Sequence, residues 1–133
     1  MSTEFVYHGS QYLFDVVKPM QARGMNEPES QLAIYACAYF SEVIPFALPI
    51  RWYPDNPGGQ RRWSTNYEKV QIEYGSLNPN GVGYVYKIKA DDFVQLDANQ
   101  WICTKEAVPV EVTKIFVKDY FHLVEFSEEA RII

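Results

Sequence analysis

His8, Tyr35 and Glu106 are the side chains whose types and surroundings combine into chemistry. An imidazole that can make a hydrogen bond, an aromatic face and a carboxylate together suit the breaking of an N-glycosidic bond. The departing ring is held against the tyrosine, while a carboxylate near the ribose bonds a hydroxyl and stabilises the positive charge building on the sugar. Each residue also has an ordinary reading. Taken alone, His8-Gly9 more often reads as a turn with a polar side chain, Tyr35 as a core ring and Glu106 as an exposed strand residue.

These positions need strands to carry them. Phe5, Val6 and Tyr7 predict a buried strand from about Glu4 to His8, closing at His8-Gly9-Ser10. Glycine at position 9 removes a Cβ and admits another backbone or a ligand. Its N–H and C=O form a fixed pair able to grip a planar carboxamide. Leu32 to Ala38 predicts a second apolar strand with Tyr35 inside it. Ser41 follows as an N-cap and Glu42 favours the dipole in the first turn. Pro45 is tolerated near the start and Pro49 ends the segment, which predicts a helix of about two turns.

Around these, Gln11 to Val17 reads as a short packed segment, and Met20 to Gln31 as a loop of the kind that borders binding sites. Pro54 to Gly59 is a turn cluster. Arg61-Arg62-Trp63 reads as a solvated loop, two arginines being few for tracking a phosphate backbone. Tyr67 to Tyr74 alternates as an edge strand, and Gly75 to Gly83 reads as a turn. Gly83 to Lys89 alternates with its lysines toward solvent. Asp91-Asp92 marks a turn, and Phe93 to Leu96 and Trp101 to Thr104 are short strands. Val112 to Val117 is a strand, with Pro109 marking an edge or a bulge ahead of it. His122 to Phe126 predicts a last strand before a polar tail. The class is α+β with strands dominant and an antiparallel second half, in a single domain over residues 1–133.

Composition narrows the partners. A net charge of −5 argues against broad electrostatic binding to nucleic acid. Ten tyrosines, eight phenylalanines and three tryptophans serve a core and a ligand-stacking surface equally well, so their abundance does not choose between them. Cys37 and Cys103 fit neither a disulfide framework nor a metal-ligand spacing and read as buried thiols in a reducing compartment. His8 and His122 are too few and too separated to suggest a metal. With no leader and no membrane-length apolar run, the expected location is the cytoplasm, away from membranes.

Tyr7-His8-Gly9-Ser10, then Ala33-Ile34-Tyr35-Ala36 with its helix, then Glu106-Ala107-Val108-Pro109-Val110 opening an apolar strand, follow one another in a known order. The set resembles the ADP-ribosyltransferase family in its His-Tyr-Glu branch. The first two stretches are also similar to small bacterial rifampin ADP-ribosyltransferases. The catalytic domains of poly(ADP-ribose) polymerases are a further point of similarity. The resemblance covers residues 5 to 117. It implies a split antiparallel β-sandwich with one or two short helices, and NAD as co-substrate in a central cleft. It also implies that His8 bonds a ribose hydroxyl and that Gly9 holds the carboxamide through its backbone. Tyr35 would stack on the nicotinamide with Ser10 helping to position it, and Glu106 would orient the ribose and stabilise an oxocarbenium-like transition state.

The departures are specific. Gln31-Leu32 stands where polymer-forming members carry a glycine-rich lead-in. Thr104 stands where many toxin members carry an acid or amide two residues before the glutamate. In the rifampin-modifying relatives the third acid lies elsewhere, so Asp91, Asp92 or Asp97 stays open for that role. The expectation is an NAD-dependent mono-ADP-ribosyltransferase acting on an unidentified protein, nucleic acid or small molecule. The alternative is a catalytically inactive nucleotide-binding or interaction module of the same fold. RNA 2′-phosphotransferase chemistry is a third reading. It needs several basic pocket residues, for which only Arg23, Arg51, Arg61 and Arg62 are candidates, with no motif match.

Overall fold

The apolar run at the N-terminus forms strand β1 (Phe5–Ser10), which continues through Gly9 instead of turning there. His8 therefore lies inside a strand. In a computed structural model the described residues are 3–21, 32–52, 63–65, 70–72, 75–98, 100–126 and 131–132. After β1 come β2 (Met20–Gln21), β3 (Leu32–Ala36) and helix α1 (Phe40–Ala47). Strands β4 (Ile50–Trp52), β5 (Trp63–Thr65), β6 (Val70–Ile72), β7 (Gly75–Leu77) and β8 (Val82–Lys89) follow. The second half adds β9 (Val94–Gln95), β10 (Trp101–Cys103), β11 (Glu111–Phe116), helix α2 (Val117–Tyr120), β12 (Val124–Phe126) and β13 (Arg131–Ile132). The class is mixed α+β, mostly antiparallel, with two short helices among the described residues.

Two sheets matter for the site. One has the order β1-β8-β11 and the other β2-β3-β10-β9, all antiparallel. Because side chains alternate, Val6, Tyr86 and Ile88 share one face of the first sheet. They pack against Ile34, Ala36 and Cys103 of the second sheet, forming a core between the layers. The opposite face carries Val85 and Ile115 and meets Val43, Ile44 and Ala47 of α1 in a second core. Gly9 and Gly83 make that contact possible. A Cβ on Gly9 would lie 2.5 Å from the Val43 carbonyl oxygen and 2.9 Å from the Ala47 nitrogen. Smaller three-stranded sheets, β12-β6-β5 and β13-β7-β4, each include one parallel pairing.

Several expectations change. The helix starts at Phe40 with Tyr39 as N-cap and no side-chain cap, so Ser41 lies in the first turn. Tyr39 is extended there, and its carbonyl accepts from the Glu42 N–H at 3.1 Å. Pro45 sits inside the helix, where its ring is buried. Strand β6 is paired on both sides and is not an edge. Within the Gly75 to Gly83 turn, Gly75–Leu77 pairs as β7 before the chain reverses at 78–81. Pro109 falls between the Ala107 bridge and β11, in neither element. His122 belongs to a 3-10 turn, Phe121–Leu123, and the expected polar tail contains β13. Of the Met20 to Gln31 loop, two residues pair as β2 and the rest lie outside the described residues. The turn at 54–59, Arg23, Arg61 and Arg62 lie outside them as well.

Cys37 and Cys103 are 5% and 2% exposed. Burial, with Glu42 and Asp97 adding to it, pushes the Cys37 thiol up to about 12. Both thiols are therefore expected to resist an aromatic disulfide reagent at pH about 8 in the native protein and to react fully in denaturant. Prompt reaction of either under native conditions would contradict this packing. Among the described residues no helix is long and apolar enough to cross a membrane.

Candidate active site

The site forms where one edge of β3 passes from one neighbour to another. At its C-terminal end Cys37 exchanges both backbone hydrogen bonds with Tyr7 of β1, at 2.8 and 2.9 Å. Nearer its start, Ala33 pairs with Met20 of β2. Tyr35 lies midway, in the ladder of neither. Backbone groups two residues apart along a strand project to the same side, so the Tyr35 carbonyl points toward β1 as the Cys37 carbonyl does. The bond it accepts comes from the His8 imidazole, whose Nδ1 lies 2.7 Å away. By the same rule the N–H and C=O of Gly9 project to the edge used by Tyr7, away from β8. Among the described residues no other backbone group bonds Gly9 on that edge.

This contact fixes the chemistry of the imidazole. A carbonyl oxygen only accepts, so Nδ1 carries the proton. Burial lowers the His8 pKa from its ordinary 6.5, with the bond to Tyr35 opposing it, so the ring is neutral at physiological pH. Nε2 is then an unprotonated acceptor, and it is buried with no partner among the described residues. Leaving such an atom unpaired costs about 1–3 kcal/mol, the kind of deficit a ligand removes. What fits it is a hydroxyl or N–H donor.

A depressed histidine pKa makes stability depend on pH. Between 6.5 and the lower folded value, the unfolded chain binds the proton first, so this contribution is complete above 6.5 and is lost as pH falls. Chemical denaturation at stepped pH is expected to show that loss in the wild type. A flatter profile is expected in His8→Asn, and identical profiles would contradict a neutral buried ring.

The other candidates are placed less closely. Tyr35 is half-buried, and its side chain alternates with Ile34 and Ala36 onto the β3 face shared with Cys37. The Ser10 hydroxyl accepts from the Tyr12 N–H at 3.1 Å and closes the end of β1. Ile102 of β10 stands opposite Tyr35, and Glu106 follows four residues later, beside Ala107, which is bridged to Val17. Its carboxylate is exposed. Asp91, Asp92 and Asp97 are exposed too. Asp92 lies 3.9 Å from Lys105, and Asp97 accepts from the Gln100 N–H at 2.8 Å in a local turn. Thus His8 is joined to Tyr35 through that residue's backbone carbonyl, with the Tyr35 ring on the opposite β3 face from Ile34 and Ala36. Gly9 adjoins His8 on β1, whereas Glu106 lies past the end of β10, where no strand register places it against either. Among the described residues, no group of three or more His, Cys, Asp or Glu is placed to hold a metal ion.

Two residues that sequence reasoning passed over belong to this neighbourhood. Tyr86 stands opposite His8 in the ladder, with ring centroids 6.0 Å apart. Trp101 stands opposite Ala36, and its indole N–H is buried with no partner among the described residues. The alternation of Gly83 to Lys89 put Tyr86 on the inward side, but nothing in it paired that strand with His8. No family model, curated protein or solved structure matched the chain.

Proposed function

We propose that this chain is an NAD-dependent mono-ADP-ribosyltransferase acting on an unidentified acceptor, with the split antiparallel β-sandwich of that family. The observation that carries the reading is the bond from His8 Nδ1 to the Tyr35 carbonyl, with the Nε2 lone pair buried and unpartnered among the described residues. A ribose hydroxyl of NAD is a donor of the kind that atom needs. The N–H and C=O of Gly9 match a carboxamide, which offers an acceptor and two donors. Tyr35 supplies the aromatic surface for the nicotinamide, and Ser10 holds the strand end that presents Gly9. Glu106 orients the ribose and stabilises the charge that develops on it. The bond between ribose C1′ and the nicotinamide nitrogen breaks, and nicotinamide leaves with the bonding pair. The acceptor's nucleophile then bonds C1′ and loses its proton to solvent.

The exposure of Glu106, Asp91, Asp92 and Asp97 favours a second reading, an inactive nucleotide-binding module of the same fold. Incubating pure protein with NAD and measuring released nicotinamide separates the two. Release that falls in Glu106→Gln supports the transferase and its acid. Release that survives Glu106→Gln and stops in Asp97→Asn transfers the role to Asp97. Binding of NAD without release supports the module, and neither binding nor release contradicts both.

A further inference from the structure

Tyr86 lies in the middle of β8, wholly buried, and its hydroxyl is committed to backbone far away in sequence. It donates to the Tyr12 carbonyl at 2.6 Å and accepts from the Phe14 N–H at 2.7 Å. Phenylalanine would fill the same apolar space with no polar atom to satisfy, so the hydroxyl's use is the segment it holds. Residues 11–16 form neither strand nor helix. Ser10 ties them at one end and the Val17–Ala107 bridge at the other. Between those ties, the Tyr86 hydroxyl is the anchor among the described residues. The Tyr86 ring also has two ring neighbours. His8 is 6.0 Å away with planes at 46°, and Phe14 is 6.0 Å away and stacked at 29°. Burial raises the pKa of the Tyr86 hydroxyl, with the Phe14 N–H opposing it, so it keeps its proton and remains a donor.

We infer that Tyr86 is a positioning residue, whose hydroxyl latches residues 12–14 beside His8 and whose ring sets the plane of the imidazole that receives NAD. The ligand in that statement rests on the function proposed above; the latch itself does not. Tyr86→Phe removes both hydrogen bonds and keeps the ring. Amide exchange at Phe14 is expected to accelerate by at least about tenfold, with a shift of the His8 ring resonances. The KM for NAD is expected to rise about tenfold while kcat falls less than about threefold.

Unchanged Phe14 exchange in the folded variant overturns the inference. So does faster exchange with KM and kcat both unaltered, or a fall in kcat alone, which a smaller folded fraction would produce. In the wild-type protein the Phe14 amide must already be protected, and exchange there at the rate of an open loop overturns the inference without any variant. A wild-type protein that releases no nicotinamide defeats the transferase reading instead, while Phe14 exchange and the His8 resonances still decide the latch.

Discussion

Gly83→Ala is expected to destabilise the protein by about 3 kcal/mol, a large part of the stability of a typical domain. Gly83 lies in β8, between β1 and β11, on the face covered by α1. A Cβ there would fall on the carbonyl oxygen of Ala47 and lie 2.8 Å from its carbonyl carbon. The obstacle is backbone of a buried helical residue, so no side chain can swing aside, and the helix itself must move. Gly81→Ala is the internal control. Its Cβ would meet the Pro49 ring at 3.0 Å and the Asn78 carbonyl oxygen at 3.1 Å, outside the helix–sheet contact, so a smaller loss is expected. Urea denaturation of the two variants measures the difference. Equal and small losses would contradict the close seating of α1 on this sheet.

The second large effect is on activity. Asparagine at position 8 can put its amide N–H where Nδ1–H lies and keep the bond to the Tyr35 carbonyl, but nothing replaces Nε2. Glutamine does the reverse. His8→Asn is therefore expected to stay within about 1 kcal/mol of wild-type stability while nicotinamide release falls about a hundredfold. His8→Gln leaves the Tyr35 carbonyl without its imidazole donor and is expected to lose about 1–3 kcal/mol, yet retain more activity than His8→Asn. Paired denaturation curves and nicotinamide assays read both quantities. Activity that follows stability across the pair would mean the imidazole serves packing alone.

How far these features could be read from the sequence depended on whether the cause was local. Apolar runs at Phe5–Tyr7 and Leu32–Ala38 announced the strands that carry His8 and Tyr35, because alternation and β-branched residues act within the segment. The helix after Tyr39 was foreseen with the wrong cap, since an extended tyrosine carbonyl closes the first turn where a serine hydroxyl was expected. Gly9 was foreseen as a place where another backbone or a ligand comes close, and the neighbour found there is the backbone of α1. What stayed hidden was long-range. The crossing of β3 from β1 to β2 at Tyr35, and the standing of Tyr86 opposite His8, depend on strand register. No single segment encodes that. The central place of β6 was missed for the same reason, its partners lying before it in β5 and far after it in β12.

Nitrogen NMR of the His8 imidazole at neutral pH, with and without NAD, reads the protonation of both ring nitrogens. A protonated Nδ1 and a bare Nε2 are expected in the free protein, with NAD shifting the Nε2 resonance as it accepts a hydroxyl and leaving Nδ1 nearly still. A protonated Nε2, or an Nε2 signal that saturating NAD does not move, would contradict the role proposed for His8.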